Sequence, residues 1–247
     1  MYVISAGFPD QPNTGRPTVS PDDFVNFSTN GLIFQLSAED LRRLQKICQP
    51  VELTKGQRLN MPVSEHSPKV YFLVNACVTL WVKNAMQSSL AVGLIGSEGA
   101  VGLGSALGQS AQHLHFEVQK AGQAWCVDSQ ELQQLLQSHP AILRVIARYL
   151  WQMANDIARM AAAIQSDDIP TRLAAWLVLC AERTQSQQLN LTHDQLAHML
   201  GVRRVSITLA AVELKEQGLL DYKRGLIDIL DMARLIKRAD TSAQTRR

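Results

Sequence analysis

Short alternating apolar runs dominate the chain from about residue 50 to residue 128. They lie at 51–59, 70–74, 78–84, 90–95, 116–120 and 124–128, are rich in β-branched residues and are separated by turn residues. Such spacing is typical of an all-β barrel or jelly roll. A helix with Ser37 as its N-cap is predicted before these runs. Another, with Asp128 and Glu131 spaced as a capping box, is predicted after them.

The longest helical pattern follows, over 140–166. Its apolar residues recur at alternating steps of three and four: Leu143, Ile146, Leu150, Met153, Ile157, Met160 and Ile164. A heptad seam of this length favours a two-helix coiled coil, so we predict a homodimer interface along it. Packing on the helix's own domain is the alternative, and it suits part of the same face. Pro170 restricts Ile169 and removes a backbone donor, which predicts a hinge.

The stretch LTHDQLAHMLGVRRVSITLAAVELKEQGLL, residues 191–220, predicts two helices joined by a tight turn. Thr192 opens a capping box at the start of the first helix. Gly201 supplies the turn, and the second helix begins at Arg203 and ends before Gly218. This is the helix-turn-helix arrangement, in which the second helix enters the major groove of DNA. A helical hairpin with a purely structural role is the alternative.

The charges of this segment favour DNA. Two arginines stand at the start of the second helix, where the helix dipole makes cations unfavourable unless an anion is near. The hairpin that follows turns at 223–225 and looks like a basic wing. The predicted DNA-contacting residues are Thr192, Arg203, Arg204, Val205, Ser206, Thr208, Leu209, Lys223 and Arg224.

Composition adds mainly exclusions. The net charge of +2 does not by itself indicate a nucleic-acid-binding protein. The four cysteines are scattered without metal-ligand spacing, so neither a disulfide framework nor a structural zinc site is expected. The sequence contains no signal peptide and no apolar run long enough to span a membrane, and we expect a cytoplasmic protein. No catalytic constellation stands out, so an enzyme is not expected.

Over about residues 30–235 the chain resembles the Crp-Fnr family of bacterial transcription regulators. The resemblance rests on the β-rich runs, the long helix that starts at a proline, the motif at 191–220 and the wing. It implies an α+β protein with a cyclic-nucleotide-binding-like (cupin-like) β-barrel domain and a winged helix-turn-helix. It also implies a homodimer on palindromic double-stranded DNA, a small-molecule effector and contact with RNA polymerase. The expected parts are a mobile arm over 1–30, the effector-binding-like domain over 31–139, the dimerisation helix over 140–166 and the DNA-binding domain over 167–247.

The glycine-rich stretch GSEGAVGLGSALG, residues 96–108, resembles the family's phosphate cassette but lacks its chemistry. Leu103 stands where cyclic-nucleotide-binding members have a ribose-contacting Glu, and no arginine occurs between Arg58 and Arg144. A buried phosphate without a cationic partner would be costly, so cyclic AMP binding is not expected. The predicted effector pocket comprises Gly99, Val101, Gly102, Leu103, His113 and His115.

Other cofactors fit poorly as well. An iron–sulfur cluster needs closely spaced thiolates, which the sequence lacks. His113 and His115 fall on one face of a strand and could bind a metal ion. Such histidines are more often ordinary surface or core residues, so we assign no metal site. Cys77 and Cys126 remain open as redox sensors, and the effector is unknown.

The predicted recognition helix departs from the pattern that many family members carry, which is Arg-Glu followed four residues later by a second Arg. Arg204 matches the first arginine, Val205 replaces the Glu and Leu209 replaces the second arginine. Arg203 stands where a serine is common. These changes predict an operator that differs from the usual one. A ligand-binding or protein-interaction module that has lost DNA binding is the alternative function.

Overall fold

The computed structural model describes residues 27–59, 67–83, 89–109 and 113–240. Most of the predicted arm lies outside these ranges, but its last residues do not form an arm. Phe27 is buried and packs edge-on against Trp125, with ring centroids 5.0 Å apart. Asn30 is fully buried; its amide donates to the carbonyls of Leu73 and Gly99. Residues 27–30 therefore belong to the folded domain.

The β-rich region forms two four-stranded antiparallel sheets rather than a closed barrel. One sheet has the order β1 (Gln49–Leu53), β8 (Gly122–Asp128), β3 (Lys69–Leu73), β6 (Ala100–Val101). The other has the order β2 (Arg58–Leu59), β7 (Leu114–Lys120), β4 (Cys77–Lys83), β5 (Ser89–Ile95). Each predicted run corresponds to strands, and the two-residue β6 inside the glycine-rich stretch was not predicted. The two sheets form a jelly-roll-like sandwich.

The interior of the sandwich is apolar. Its buried members come from both sheets: Leu53, Leu59, Leu73, Ala76, Val78, Ile95, Val101, Val118 and Ala124. Along the strands they alternate with positions on the outer faces of the sheets, where Val70 and Phe72 pack under helices and Trp81 packs against the C-terminal domain. The space between the sheets is therefore occupied by side chains.

Helices surround the sandwich and lead out of it. They are α1 (Ala38–Ile47), α2 (Leu103–Ala106), α3 (Ser129–Ser138) and α4 (Pro140–Ser166). The side chains of Ser37 and Asp128 cap α1 and α3, but Asp128 accepts from the backbone N–H of Gln130 and not from that of Glu131, which the predicted capping box would use. The break after α4 falls at residues 167–168, and Pro170 lies in the first turn of α5 (Ile169–Thr184), where a proline is tolerated.

The C-terminal domain comprises α5, β9 (Gln188–Leu189), α6 (His193–Leu200), α7 (Arg204–Glu216), β10 (Leu220–Lys223), β11 (Leu226–Ile229) and α8 (Met232–Ala239). Helix α8 was not predicted; the sequence pattern indicated a domain ending in the hairpin. Asp231 caps this helix, Leu235 is fully buried, and Arg238 bonds Asp168 and Glu213. Helix α8 thus connects the start of α5 to α7.

The two domains share one apolar core. Trp81, Ala91 and Leu94 of the second sheet pack with buried residues of α5, α6 and α7. The ring centroids of Trp81 and of His198 on α6 are 4.9 Å apart. A Cβ on Gly201 would lie 3.0 Å from Leu90. The first helix of the motif is therefore docked on the outer face of the sandwich.

Candidate nucleic-acid interface

The helix-turn-helix has the predicted geometry. Thr192 and Gln195 form a complete capping box at the start of α6. Gly201 adopts φ 65° at the turn, and Gly218 adopts φ 69° after α7. Residues that carry a Cβ rarely adopt this left-handed backbone conformation. Arg172 of α5 donates to the carbonyl of Leu200 and holds the end of α6. The turn angle is therefore fixed by backbone conformation and by a bond to a third helix.

The buried face of α7 anchors it and leaves the predicted contact face outside. Ile207, Ala210, Ala211 and Leu214 are buried, as their helical spacing predicted. Four residues of the predicted set on or next to α7 are exposed: Arg203, Arg204, Val205 and Leu209. Arg203 occupies the N-cap position without making a side-chain capping bond. Both arginines therefore remain at the positive end of a helix dipole without a cap to offset it.

Arg204 is held from the preceding helix. Its Nε lies 3.4 Å from a carboxylate oxygen of Asp194, and both side chains are about two-thirds exposed. An ion pair this exposed adds little stability. Its effect is geometric, because it engages Nε and leaves the two terminal nitrogens of the guanidinium for another acceptor. The sequence analysis missed Asp194, since its role depends on the angle between α6 and α7.

The two predicted hydroxyl residues behave differently from the arginines. Ser206 and Thr208 are half-buried. The hydroxyl of Thr208 donates to the Arg204 carbonyl at 3.2 Å and lies 3.1 Å from Nδ1 of His193. Thr208 thus joins α6 to α7 within the motif. The ring of His193 also lies 5.0 Å from the ring of Tyr222 in the hairpin.

Burial lowers the pKa of His193, and the nearby Arg204 guanidinium lowers it further while Asp194 opposes this shift. The imidazole is therefore biased toward its neutral form. A neutral histidine suits its position beside a hydroxyl and an aromatic ring.

The hairpin forms the expected wing. Strands β10 and β11 pair through Lys223 and Leu226, and Gly225 takes φ 84° at the turn. Lys223 and Arg224 are exposed at its tip. A Cβ on Gly225 would lie 3.5 Å from the methyl of Thr192, so the wing tip adjoins the start of α6. Predicted contact residues from three separate segments therefore lie on one side of the domain.

The glycine-rich stretch is packed against protein. A Cβ on Gly96 would meet the Arg183 carbonyl at 2.6 Å, and one on Gly31 would meet the Glu98 Cα at 3.2 Å. Gly99 lies beneath the ring of Tyr149 of α4, and Gly102 takes φ 87° before α2. The glycines therefore permit close approach of α4, α5 and the N-terminal segment.

The predicted effector-pocket residues face different surroundings. Val101 and Leu103 are buried in two different apolar clusters. His113 is exposed, whereas His115 stacks on Trp81 on the outer face of the second sheet, with centroids 6.2 Å apart. Burial lowers the pKa of His115. In the described part of the chain, no group of three His, Cys, Asp or Glu could hold a metal ion.

A cleft of about 560 Å³ lies elsewhere, between β5, α4 and α5. Its walls include apolar residues of α4 and β5 and four charged residues: Glu98, Asp156, Arg159 and Arg183. The Arg183 guanidinium lies 3.3 Å from Glu98 and 3.9 Å from Asp156. One arginine of the C-terminal domain thus links the glycine-rich stretch to the long helix.

The cysteines lie in apolar surroundings. Cys77, Cys126 and Cys180 are buried, and Cys48 is half-buried. Burial raises the pKa of Cys77 to about 12 and raises that of the other three as well. Thiols are therefore strongly favoured over reactive thiolates at these positions.

Comparisons agree with this architecture. Residues 171–238 match the family model of the Crp-like helix-turn-helix domain. The c-di-GMP-responsive global regulator CLP of Xanthomonas campestris is 19% identical, with a TM-score of 0.65 over 79% of this chain and 100% of its own. TTHA1359, a Crp/Fnr-family regulator of Thermus thermophilus, is 21% identical, with a TM-score of 0.64 over 78% of this chain and 98% of its own. No curated protein sequence matches the chain. Every helix in the described residues is too short or too polar to cross a membrane.

Proposed function

We propose that this Crp/Fnr-type chain, whose residues 171–238 are a Crp-like helix-turn-helix domain, is a homodimeric, sequence-specific, DNA-binding transcription regulator of the cytoplasm. The observation that carries the proposal is the exposed cationic face of the motif. Arg203 and Arg204 at the start of α7 and Lys223 and Arg224 at the wing tip are all exposed. Cations at a helix N-terminus gain most from a bound polyanion, and DNA supplies one.

We propose that α4 forms the homodimer interface, with a set of contact residues that differs from the set predicted from the sequence. Ile146 is fully buried in its own chain, whereas Met153 and Met160 pack against its apolar clusters. These three of the seven predicted interface residues therefore belong to intrachain packing, and half-buried Leu150 also packs against an apolar cluster of its own chain. The other four, Leu143, Leu150, Ile157 and Ile164, are exposed or half-buried and recur every seven residues.

Alanines complete the seam. Ala147, Ala154 and Ala161 also recur every seven residues, and all three are exposed. They alternate with the four larger residues at steps of three and four, which is heptad spacing. Trp151, 70% exposed, flanks this stripe. The proposed dimer thus brings large residues of one helix beside small residues of its partner, which permits close helix approach.

The effector domain is proposed not to bind cyclic AMP. The sandwich interior is filled by apolar side chains, and the glycines of the cassette-like stretch contact α4 and α5. No arginine is available between residues 58 and 144 to meet a phosphate. Titration calorimetry with cyclic AMP tests this point, and saturable heat at micromolar ligand would contradict it.

The test of DNA binding is fluorescence anisotropy of the ligand-free protein on the DNA preceding its own gene, at two salt concentrations. We expect binding tighter than to random DNA, weakening steeply with salt. Arg204→Ala should weaken specific binding by about 1–3 kcal/mol. Arg42→Ala removes an exposed arginine from α1 and serves as the control. Equal affinity of Arg204→Ala and the unmodified protein for both DNAs would refute the assigned base contact.

A further inference from the structure

Two aliphatic side chains on the recognition helix are exposed beside each other. Val205 is 68% exposed and Leu209 is 66% exposed. They are four residues apart on α7, so they are neighbours on one helix face. The other aliphatic residues of this helix that carry its packing, Ile207 and Leu214 among them, are fully buried. Scattered exposed aliphatic residues are common, but an adjacent pair on the contact face of a recognition helix indicates an apolar feature on the partner.

The charges around the pair identify the partner. Arg203 and Arg204 precede it in the chain and are exposed, and the wing of the same domain ends in exposed Lys223 and Arg224. A partner that meets four cations is a polyanion. On duplex DNA, the apolar feature that an aliphatic side chain can reach in the major groove is the C5-methyl group of thymine.

Arg204, which precedes Val205, sets how α7 is aligned with the base pairs of the half-site. Because Asp194 engages Nε of Arg204, the terminal nitrogens remain free for a bidentate contact. The acceptor pair that suits such a contact is O6 and N7 of guanine. Val205 is the next residue, and Leu209 lies about 6 Å further along the axis, at 1.5 Å per residue. That distance corresponds to about two base-pair steps of 3.4 Å.

We propose that Val205 and Leu209 read the C5-methyl groups of two thymines, no more than two base-pair steps apart, next to a guanine bound by Arg204. The inference rests on the proposed function and adds the chemistry of the half-site to it. Asp194 is the positioning residue in this arrangement, since it touches Arg204 and not the base.

The experiment starts by selecting bound sequences from random duplex DNA with the full chain. Each thymine of the selected half-site is then replaced by uracil, which removes the methyl group and leaves base pairing unchanged. We expect two positions at which uracil weakens binding about threefold to fivefold each, the size of effect for one lost methyl contact. Uracil at the remaining thymines should have no effect.

Variants assign each methyl to a side chain. Val205→Ala should lose the response to uracil at one position, and Leu209→Ala at the other, with unchanged salt dependence. Leu230→Ala truncates a comparably exposed aliphatic residue, 60% exposed, after the wing strand and should keep both responses. Unchanged melting temperatures exclude unfolding as the cause.

The outcomes are distinguishable. If no sequence is enriched, sequence-specific binding and hence the proposed function fail. If a sequence is enriched but uracil and thymine bind equally at every position, the function stands and the methyl contacts are refuted. Loss of a protein partner in Val205→Ala, with no response to uracil in the unmodified protein, would assign the pair to a protein surface and also refute the inference.

Discussion

The ring of Tyr149 lies so close to Gly99 that a Cβ on the glycine would overlap the phenol oxygen. Tyr149 belongs to α4, and Gly99 belongs to the cassette-like stretch. The backbone of Ala100 hydrogen-bonds the same phenol, and burial raises its pKa. The cassette-like stretch is therefore in direct contact with the helix of the proposed dimer interface.

Gly99→Ala should destabilise the protein markedly, because its methyl group would overlap the Tyr149 ring. We expect a loss of about 1–3 kcal/mol, typical of overpacking, in urea unfolding. Gly104→Ala is the control, since its Cβ would meet nothing nearer than the Gln109 carbonyl at 3.5 Å and the residue lies in α2. Equal stability of the two variants would contradict the observed contact.

Ala154→Glu should convert the proposed dimer to a monomer. The substitution places a charge at the centre of the seam in both copies, where burial without a partner is costly. Sedimentation velocity should show at least a hundredfold weaker association. Ala162→Glu puts the same charge on an exposed position of α4 outside the seam and should leave association unchanged. A dimeric Ala154→Glu variant would refute the seam.

Glu98→Gln should loosen the contact between the cassette-like stretch and α5. The Arg183 guanidinium lies 3.3 Å from Glu98, and both side chains are partly exposed, so the loss should not exceed about 1 kcal/mol. Hydrogen exchange at the C-terminal end of α5 should become faster. Glu52→Gln, an exposed carboxylate on β1, is the matched control. Unchanged exchange in Glu98→Gln would show that the ion pair does not hold the two domains together.

The pKa of His193 is depressed below its ordinary value of about 6.5, chiefly by burial and then by Arg204. The folded protein therefore binds this proton less well than the unfolded chain does. The stability that the neutral ring contributes is present above pH 6.5 and is lost as the pH falls below it. His115 acts in the same direction.

We therefore expect the melting temperature to fall between pH 7.5 and 5.5, and to fall less in His193→Asn. NMR titration gives the direct test, because Arg204→Ala should raise the pKa of His193. Asp194→Asn should lower it, since the carboxylate opposes the shift. An unchanged His193 pKa in both variants would contradict this electrostatic coupling.

The sequence alone determined the elements whose signals are local. Capping by Thr192 and Gln195, left-handed turns at Gly201 and Gly218, and the alternating strands all depend on backbone preferences within a few residues. Helix α8 was missed because its short amphipathic pattern directly follows a strand, and its stability depends on Arg238 reaching α5 and α7.

The tertiary structure decided which face of each element meets a neighbour. A heptad pattern identifies a seam but cannot say whether Met153 points to its own domain or to a second chain, because both environments are apolar. A glycine in the sequence likewise shows that another group can approach the backbone closely, but it does not identify that group. At Gly99 the group is the ring of Tyr149 and not a ligand. Asp194 became visible as the partner of Arg204 only when the angle between α6 and α7 brought them within 3.4 Å. Contacts between distant segments depend on packing geometry, which local sequence patterns do not encode.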